Sequence, residues 1–216
     1  MATDLNFDPA THTYTVGGRV VPSVTRILRP LTDFSHVPPD VLARAAAFGT
    51  AVHRMIYLEE GGDLDEEALD PILRPWLDAW RKWRTETKLR VLERERPVYH
   101  PLMQYAGTMD MLGELGRHKV VLDLKTGGTS PAAGPQTWAY RQAWATENGV
   151  VPETIKRAVL RIPMQPGTQL PAPPTLEWQT NDALDGNLFR ACYQIYLCYQ
   201  IYLYPTPNGE RNHVVN

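Results

Sequence analysis

The chain has 216 residues, of which 43% are hydrophobic and 21% charged, and its formal net charge at pH 7 is −2. This composition is ordinary for a soluble globular protein, and the length suits one domain that buries roughly 70% of its unfolded surface. No apolar run approaches the roughly 20 residues that span a bilayer, and the first residues lack a signal-peptide pattern, so we expect a cytoplasmic protein. The slightly acidic balance gives no overall charge for nucleic-acid binding and leaves a local basic patch open.

The first predicted elements are a β-hairpin and a short helix. Polar and apolar residues alternate on both sides of Gly17 and Gly18, which predicts a tight turn between two strands. Ser23 belongs to the residue types that favour a helix start, and an apolar pattern follows it. We therefore expect residues 1–37 to form an N-terminal hairpin and a short helix.

Two longer helices are predicted next, over residues 38–60 and from residue 65 or 66 to about 87. Prolines at positions 71 and 75 should interrupt or bend the second helix. Residues 38–88 are thus expected to form a helical part of the domain.

The rest of the chain predicts a mixed α/β core, because three strands are followed by a helix and by further strands. The helix opens at Pro135 and ends at Gly149, since proline favours a first helical turn and glycine a helix end. We expect one domain over residues 1–204, in which 89–204 form the sheet core and C-terminal helix, and a flexible tail over 205–216. We find no internal repeat and no linker. The predicted strands are 90–99, 104–113, 119–126, 154–163 and 176–179, and the last helix runs from 181 or 182 to 203.

A basic cluster lies between residues 81 and 96. One interpretation is a solvated helix face followed by an exposed strand start, and the other is a surface that contacts phosphates. The sequence leaves both open. The members of the cluster are Arg81, Lys82, Arg84, Lys88, Arg90, Arg94 and Arg96.

The second and third strands of the core form a predicted hairpin that carries two aspartates and a lysine. Side chains alternate faces along a strand, so Asp123 and Lys125 share one face. If the turn centres on Gly116 and Arg117, Asp110 lies directly across from Asp123. Opposed carboxylates repel each other unless a divalent cation binds both, so the pair indicates a metal site. A turn displaced by one residue would place the aspartates on opposite faces.

A metal site beside a lysine has the parts of a nuclease centre. A nuclease must hold a water near the scissile phosphorus, activate it and neutralise the charge that develops. Asp110 and Asp123 would bind the metal, while Lys125 would orient the water or stabilise the charge. The structural alternative is that the lysine extends past the sheet edge and one aspartate belongs to a turn.

Two further residues are candidates for the same metal shell. Glu95 lies in the preceding strand and shares a face with Glu93, so it could complete the shell directly or through water. His53 lies on the apolar stripe of its helix and points inward, and nearby Gly49 permits close approach to another backbone. The alternatives are an exposed carboxylate paired with an arginine for Glu95, and a hydrogen-bonded core residue for His53.

Gln136 and Tyr140 are four residues apart and project from the same side of their helix. Near a metal centre they could hold phosphate oxygens or fix the lysine, and the alternative is a core tyrosine with a surface glutamine. The loop that precedes this helix, KTGGTSP, could add donors from Thr126, Thr129, Ser130 and the backbone. It lacks the lysine-serine ending of a P-loop.

Taken in order, these motifs resemble the RecB-like branch of the PD-(D/E)xK nuclease superfamily, which includes phage-type exonucleases. The resemblance covers about residues 49–140, and the N-terminal hairpin with PSVTRIL is similar to the opening segment of phage-type members. It implies a restriction-endonuclease-like core with a central mixed four-stranded sheet flanked by helices, within a single nuclease domain. The motifs are GTAVH with His53, ERPVYHP with Glu95, AGTMD with Asp110, LDLKTG with Asp123 and Lys125, and QTWAY with Gln136 and Tyr140.

The resemblance also assigns roles to individual residues. Lys125 would activate the attacking water, and it would form the catalytic set with Asp110, Asp123 and Glu95. Gln136 and Tyr140 would support the site and its DNA, and we add Thr126 and Ser130 to this supporting group. The ligands implied for Mg²⁺ or Mn²⁺ are His53, Asp110, Asp123, the Leu124 carbonyl and, directly or through water, Glu95.

The cysteines separate this chain from the branches that carry an iron–sulfur cluster. Those branches need four cysteines around the nuclease core, whereas this chain has two, Cys192 and Cys198, near its end. Their number and spacing are also unsuited to zinc. We therefore expect no cluster and two reduced, buried thiols.

The function implied by the resemblance is a metal-dependent DNA exonuclease that leaves 5′-phosphates. Its setting would be recombination or DNA-end processing in a phage, prophage or bacterium. DNA is the expected partner, with a single-strand annealing or recombination protein as a second one. Two alternatives stand beside it: a non-catalytic DNA-binding or assembly protein on a nuclease scaffold, and a structure-specific endonuclease.

Overall fold

The computed structural model of the protein, which describes the backbone of residues 4–203 and the side chains of residues 4–200, begins with a small antiparallel sheet. The predicted hairpin is confirmed, and Gly17 and Gly18 form its turn with φ of 55° and 76°, a region that glycine enters without steric cost. A further strand that the sequence pattern did not predict pairs with the hairpin. The three strands are β1 (Leu5–Asp8), β2 (Thr13–Val16) and β3 (Arg19–Val21).

Three helices follow, namely α1 (Val24–Ile27), α2 (Pro39–Gly61) and α3 (Arg74–Thr87). The Ser23 side chain accepts the N–H of Arg26 and caps α1, as predicted. The helix predicted to begin at residue 65 or 66 is α3, and this predicted start is wrong. Asp70 is extended because it precedes a proline, and its carboxylate accepts the N–H of Ile72 at the start of a 3₁₀ turn that leads into α3.

The main sheet has five strands in the order β4-β5-β6-β7-β8. Strands β4 to β6 form an antiparallel meander, β7 joins β6 in parallel, and β8 pairs antiparallel with β7. The implied four-stranded sheet is therefore too small by one strand, because the short β8 continues the sheet at its edge. The elements are β4 (Arg90–His100), β5 (Tyr105–Leu115), β6 (His118–Lys125), α4 (Ala133–Asn148), β7 (Lys156–Arg161), β8 (Thr175–Trp178) and α5 (Asp182–Leu203).

Helices cover both faces of this sheet. Helices α1, α4 and α5 pack with Leu112 and Val121 on one face, while α2 and α3 pack with Leu122 and Leu124 on the other. Because β6 alternates, Asp123 follows Val121 onto the face covered by α4. Gly149 ends α4 in the left-handed conformation, as predicted. None of the described helices is long and apolar enough to cross a membrane.

The hairpin of β5 and β6 has the predicted register. Leu115 pairs with His118 and Met111 pairs with Leu122, so Gly116 and Arg117 occupy the turn. The pairing of β5 with β6 ends at Met111 and Leu122, so Asp110 and Asp123 lie just beyond the last pair. The two aspartates therefore lie where the strands begin to separate, and that opening gives side chains from other elements access to them.

Helix α5 departs from expectation in two ways. The hexapeptide CYQIYL occurs twice in succession, at 192–197 and 198–203, so the expected absence of a repeat is wrong. Six residues turn a helix through about 600°, so the second copy faces a different direction from the first. Cys192 is buried and Cys198 is exposed, which contradicts the expectation of two buried thiols. The predicted tail, 205–216, lies outside the described residues.

Candidate metal centre

Three predicted ligands from three elements meet at the open end of the hairpin. His53 comes from α2, Glu95 from β4 and Asp110 from β5. The Nδ1 atom of His53 lies 3.7 Å from Asp110 Oδ2 and 3.9 Å from Glu95 Oε1. One ligand atom from each residue lies within 4.8 Å of the others, and the cluster could hold a metal ion.

The Leu124 peptide orients two members of this cluster. His53 Nε2 lies 2.9 Å from the Leu124 carbonyl oxygen, and because a carbonyl only accepts, Nε2 carries the hydrogen. Nδ1 then presents its lone pair toward Asp110 and Glu95, the arrangement usual for a metal-binding histidine. The Leu124 N–H donates to Asp110 Oδ2 at 2.8 Å. The Leu124 carbonyl, itself a predicted ligand, thus lies on the Nε2 side of the ring, away from Nδ1, and its role as a ligand stays a prediction.

Glu95 has an unusual backbone conformation. Its φ of 44° is in the left-handed region, which costs a non-glycine residue about 1–2 kcal/mol. In the pairing of β4 with β5, Arg94 lies opposite Met111 and Arg96 lies opposite Met109. Glu95 therefore lies opposite Asp110, although these two residues do not form a β-ladder pair. Strained residues of this kind concentrate at functional sites.

The carboxyl of Glu95 also has a perturbed acidity. Burial, followed by the negative charge of Asp110, raises its pKa to about 7, although the charges of His53 and Arg54 act in the opposite direction. The Glu95 carboxyl is therefore only partly ionised near neutral pH. A bound cation would favour the ionised form.

A small cavity adjoins the cluster. It measures about 10 Å³ and is lined by His53, Glu95, Asp110 and Leu124, together with residues of α2, β4 and β5. A volume of roughly 10–15 Å³ admits one water-sized particle. The donor set and the space therefore fit a single ion.

Asp123 and Lys125 form an ion pair beside the cluster. Lys125 Nζ donates to Asp123 Oδ1 at 3.0 Å and lies 2.9 Å from Oδ2. Asp123 is 1% exposed, and burial raises its pKa to about 6 despite the nearby lysine. The pKa of Lys125 is raised as well, because the charges of Asp123 and Asp110 outweigh its burial. Asp123 is not among the three residues whose ligand atoms converge, and its role as a ligand stays a prediction.

Gln136 and Tyr140 connect this ion pair to a larger cleft. Gln136 Oε1 lies 3.5 Å from Lys125 Nζ, and its Nε2 donates to the Tyr140 hydroxyl at 3.4 Å. Tyr140 is buried against Gly107, where a Cβ atom would lie 2.6 Å from the tyrosine ring. The glycine of the AGTMD motif therefore makes room for this ring.

The cleft has a volume of about 830 Å³ and opens between the N-terminal sheet, α2 and the main sheet. Its floor includes His53, Glu95 and Asp110, and its walls carry hydroxyl and aromatic groups. Lys125 and Asp123 do not line it themselves. The other polar and aromatic lining residues include His12, Tyr14, Ser23, Thr25, Thr50, Arg54, Tyr57, Thr108, Gln136 and Tyr140.

The loop between β6 and α4 lies beside the cleft. Thr126 and Ser130 are not among the residues that line the cleft. The Ser130 hydroxyl accepts the Ala132 N–H at 3.2 Å at the start of α4. The loop is held by Arg161, which donates to the Gly128 carbonyl at 2.6 Å and to Glu177 at 2.6 Å.

The sequence pattern missed several residues of the cleft. Arg54 is exposed, and its guanidinium lies over the Tyr57 ring, 5.1 Å from the centroid. The Tyr14 hydroxyl is 2.7 Å from that of Thr108, which ties the N-terminal sheet to β5. Arg54 had a signal, since it follows His53 directly, but the positions of the tyrosines depend on tertiary packing.

The basic cluster at residues 81–96 is largely neutralised within the chain. Five of its members form ion pairs with carboxylates, and Arg94 lies over the Tyr57 ring. This arrangement favours the solvated face over the phosphate-binding surface. The pairs are Arg81 with Glu59 and Glu66, Lys82 with Glu86, Arg84 with Glu60, Arg90 with Glu114, and Arg96 with Glu93.

Comparisons with known proteins do not assign the chain to a family. No protein-family model matches the chain, and no curated protein matches it.

Proposed function

We propose that this chain is a divalent-metal-dependent nuclease with a restriction-endonuclease-like core, similar to the RecB-like and phage-type exonucleases. The observation that carries the proposal is the convergence of His53, Glu95 and Asp110 next to the ion pair of Asp123 and Lys125. The antiparallel meander β4 to β6, with β7 added in parallel through α4, supports the proposed core.

Mg²⁺ or Mn²⁺ is the cofactor that we propose. Two carboxylates and one imidazole would hold it, and Mn²⁺ accepts both oxygen and nitrogen ligands. A bound divalent cation would supply charge stabilisation at a phosphate oxygen and a lowered pKa for water. The carboxylate of Asp123 is a further ligand that we propose.

Lys125 is suited to donating hydrogen bonds in the reaction. Its raised pKa keeps the amine protonated at neutral pH, so it is an acid and a donor there. Asp123 and Gln136 restrict the position of its Nζ atom. We propose that this ammonium orients the attacking water and stabilises negative charge on the phosphate.

Glu95 is suited to binding the cation. Without a bound cation its pKa of about 7 leaves this carboxyl partly protonated at neutral pH, and a cation that binds it would displace that proton. Its carboxylate lies opposite Asp110, at the floor of the cleft where a phosphodiester would lie. We propose that Glu95 binds the cation as a carboxylate and contributes to catalysis by holding it at the floor of the cleft.

The cleft is the proposed binding surface for DNA. Its hydroxyl groups can donate to phosphates, its aromatic rings can stack with bases, and Arg54 supplies a cation at its wall. Since the cluster at 81–96 is engaged with carboxylates, DNA contact rests on the cleft. We propose 5′-phosphate products and a role in recombination or end processing in the cytoplasm of a bacterium or phage-infected cell, with a single-strand annealing protein as a partner.

Digestion of labelled DNA tests the proposal. Linear double-stranded, linear single-stranded and closed circular DNA are incubated with Mg²⁺, with Mn²⁺ or with EDTA. An exonuclease degrades the linear forms only, in either metal and not in EDTA. Cleavage of closed circles would instead indicate an endonuclease, and binding without cleavage in any metal would contradict the enzymatic proposal.

Variants assign the activity to the site. We expect Asp110→Asn and Lys125→Met each to lower the rate by about 10²-fold or more, the scale for losing a group that stabilises transition-state charge. Asp40→Asn is the matched control, because Asp40 is exposed and pairs with Arg44 on its own helix. Circular dichroism of each variant separates lost chemistry from lost folding. Full activity in folded Lys125→Met would contradict the assigned mechanism.

A further inference from the structure

A second cavity lies at the opposite end of β6 and β7 from the metal centre. It has a volume of about 370 Å³ and begins beside His118, the first residue of β6. The metal centre is at the Lys125 end, so the two are separated by the length of β6, about 20 Å at the usual rise per residue. Its other principal lining residues are Arg141, Lys156, Arg157, Trp178 and Asp182.

Arg141 has unused hydrogen-bonding capacity in this cavity wall. It is 3% exposed, and its Nη1 donates to the Ile155 carbonyl and to Asp182 Oδ2 at 3.3 Å and 3.1 Å. Its Nε and Nη2 are buried and have no hydrogen-bond partner among the described residues. A buried, unsatisfied charged donor is costly, so a ligand that satisfies it gains that free energy.

The two unused nitrogens form one edge of the guanidinium. This edge binds two oxygens of a carboxylate or a phosphate side by side. Arg81 shows the geometry within this protein, since its Nε and Nη2 donate to the two oxygens of Glu59 at 2.7 Å and 2.8 Å. Arg157, which lies beside Arg141, uses all three of its nitrogens within the chain. The available edge therefore belongs to Arg141 alone of the two.

The surroundings favour an anion that carries a flat ring. Three cationic side chains line the cavity against two carboxylates, Glu153 and Asp182, and Asp182 is already shared by the two arginines. Lys156 is exposed at the opening. The indole of Trp178 is 46% exposed and offers a stacking surface. A cavity of this size suits a compact ligand.

We propose that this cavity binds a phosphomonoester attached to an aromatic ring, of the size of a nucleoside monophosphate. The unpaired edge of Arg141 is closed to solvent in the unliganded chain, so the phosphate would bind it as the cavity wall opens around the ligand. Lys156 would assist, and the ring would stack on Trp178. This site is independent of the proposed nuclease activity, because none of its residues belongs to the metal centre.

Calorimetric titration in EDTA tests the proposal without involving the metal centre. The probes are dAMP, inorganic phosphate and deoxyadenosine. We expect dAMP to bind about tenfold more tightly than phosphate, and deoxyadenosine to bind more weakly than dAMP by at least the same factor. No binding of dAMP at about 1 mM, or equal binding of dAMP and phosphate, would overturn the proposal.

Variants locate the site. Trp178→Ala changes an exposed side chain and should weaken dAMP about tenfold while leaving phosphate unchanged. Arg141→Lys keeps the charge but removes the two-donor edge, and it should weaken both probes by about tenfold or more. Lys82→Ala, which removes an exposed lysine on α3, is the control and should bind as the wild type does. If Arg141→Lys does not fold, Trp178→Ala still decides the matter, since unchanged dAMP binding in that variant overturns the proposal.

Discussion

The stabilisation of this protein by a divalent cation should depend on pH through Glu95. A metal ion must displace the proton of this carboxyl, and a pKa of about 7 means that the group is about 90% ionised at pH 8 and about 10% ionised at pH 6. The apparent affinity for Mn²⁺ should therefore fall about tenfold between these pH values.

This tenfold change can be expressed as a melting temperature. With Mn²⁺ at about 100 times its dissociation constant at pH 8, binding stabilises the folded state by about 2.7 kcal/mol, and the same concentration at pH 6 gives about 1.4 kcal/mol. For a chain of this length, 1 kcal/mol corresponds to about 2–4 °C. The shift in melting temperature caused by Mn²⁺ should thus fall from about 5–11 °C to about 3–6 °C.

The assay is thermal unfolding at pH 6, 7 and 8 with and without MnCl₂. Glu95→Gln should weaken binding at pH 8 and reduce the pH dependence, because the amide does not titrate in this range. Glu86→Gln is the control, since Glu86 is exposed and pairs with Lys82 at 3.9 Å. Equal shifts at pH 6 and pH 8 in the wild type would refute the assignment of Glu95 to the metal centre.

Three further predictions concern the groups around the centre. Because the pKa of Glu95 is raised on folding, its contribution to stability is fully present below about pH 4.5 and is lost as the pH rises through 7. The free energy of unfolding of the metal-free protein, measured by chemical denaturation, should therefore fall between about pH 4.5 and pH 7. It should fall less in Glu95→Gln. Arg161→Met removes the tether to Gly128 and should lower the cleavage rate at least about tenfold with little change in Mn²⁺ affinity; an unchanged rate would contradict a positioning role for the loop. Gly107→Ala places a Cβ atom 2.6 Å from the Tyr140 ring and should destabilise the fold by about 1–3 kcal/mol in urea unfolding, whereas unchanged stability would show that the ring has room to move.

The hairpin of the centre follows closely from the sequence. Gly116 supplies the positive φ of its turn, and the apolar alternation of β6 leaves one register in which both strands bury their apolar faces. The face shared by Asp123 and Lys125 follows from the same alternation. The ion pair between Asp123 and Lys125 does not follow from the sequence, because it depends on how deeply tertiary packing buries the aspartate.

The conformation of Glu95 could not be predicted from sequence. Strand alternation gives its face, but no local residue type signals a positive φ in the middle of a strand. The groups that surround Glu95 come from β5 and α2, which are distant in sequence. The contact of His53 with Leu124 likewise spans 71 positions, and only its inward direction was predictable.

Other departures also trace to interactions beyond the sequence pattern. Helical periodicity extends across residues 65–73, but the conformation imposed before Pro71 and the cap from Asp70 delay α3. The basic residues between positions 81 and 96 are clustered in the sequence, and such a cluster is compatible with phosphate binding. Their carboxylate partners come from α2 and β5 as well as their own elements, so the neutralisation becomes visible only in the fold.

The metal centre is tested most directly by the anomalous diffraction of Mn²⁺ in a crystal of the protein. We expect one anomalous peak within about 2.5 Å of His53 Nδ1 and of a carboxylate oxygen from each of Glu95 and Asp110. His53 Nε2 should keep its hydrogen bond to the Leu124 carbonyl. A peak that contacts none of these three residues, or no peak at saturating Mn²⁺, would contradict the assignment of this cluster as the metal centre.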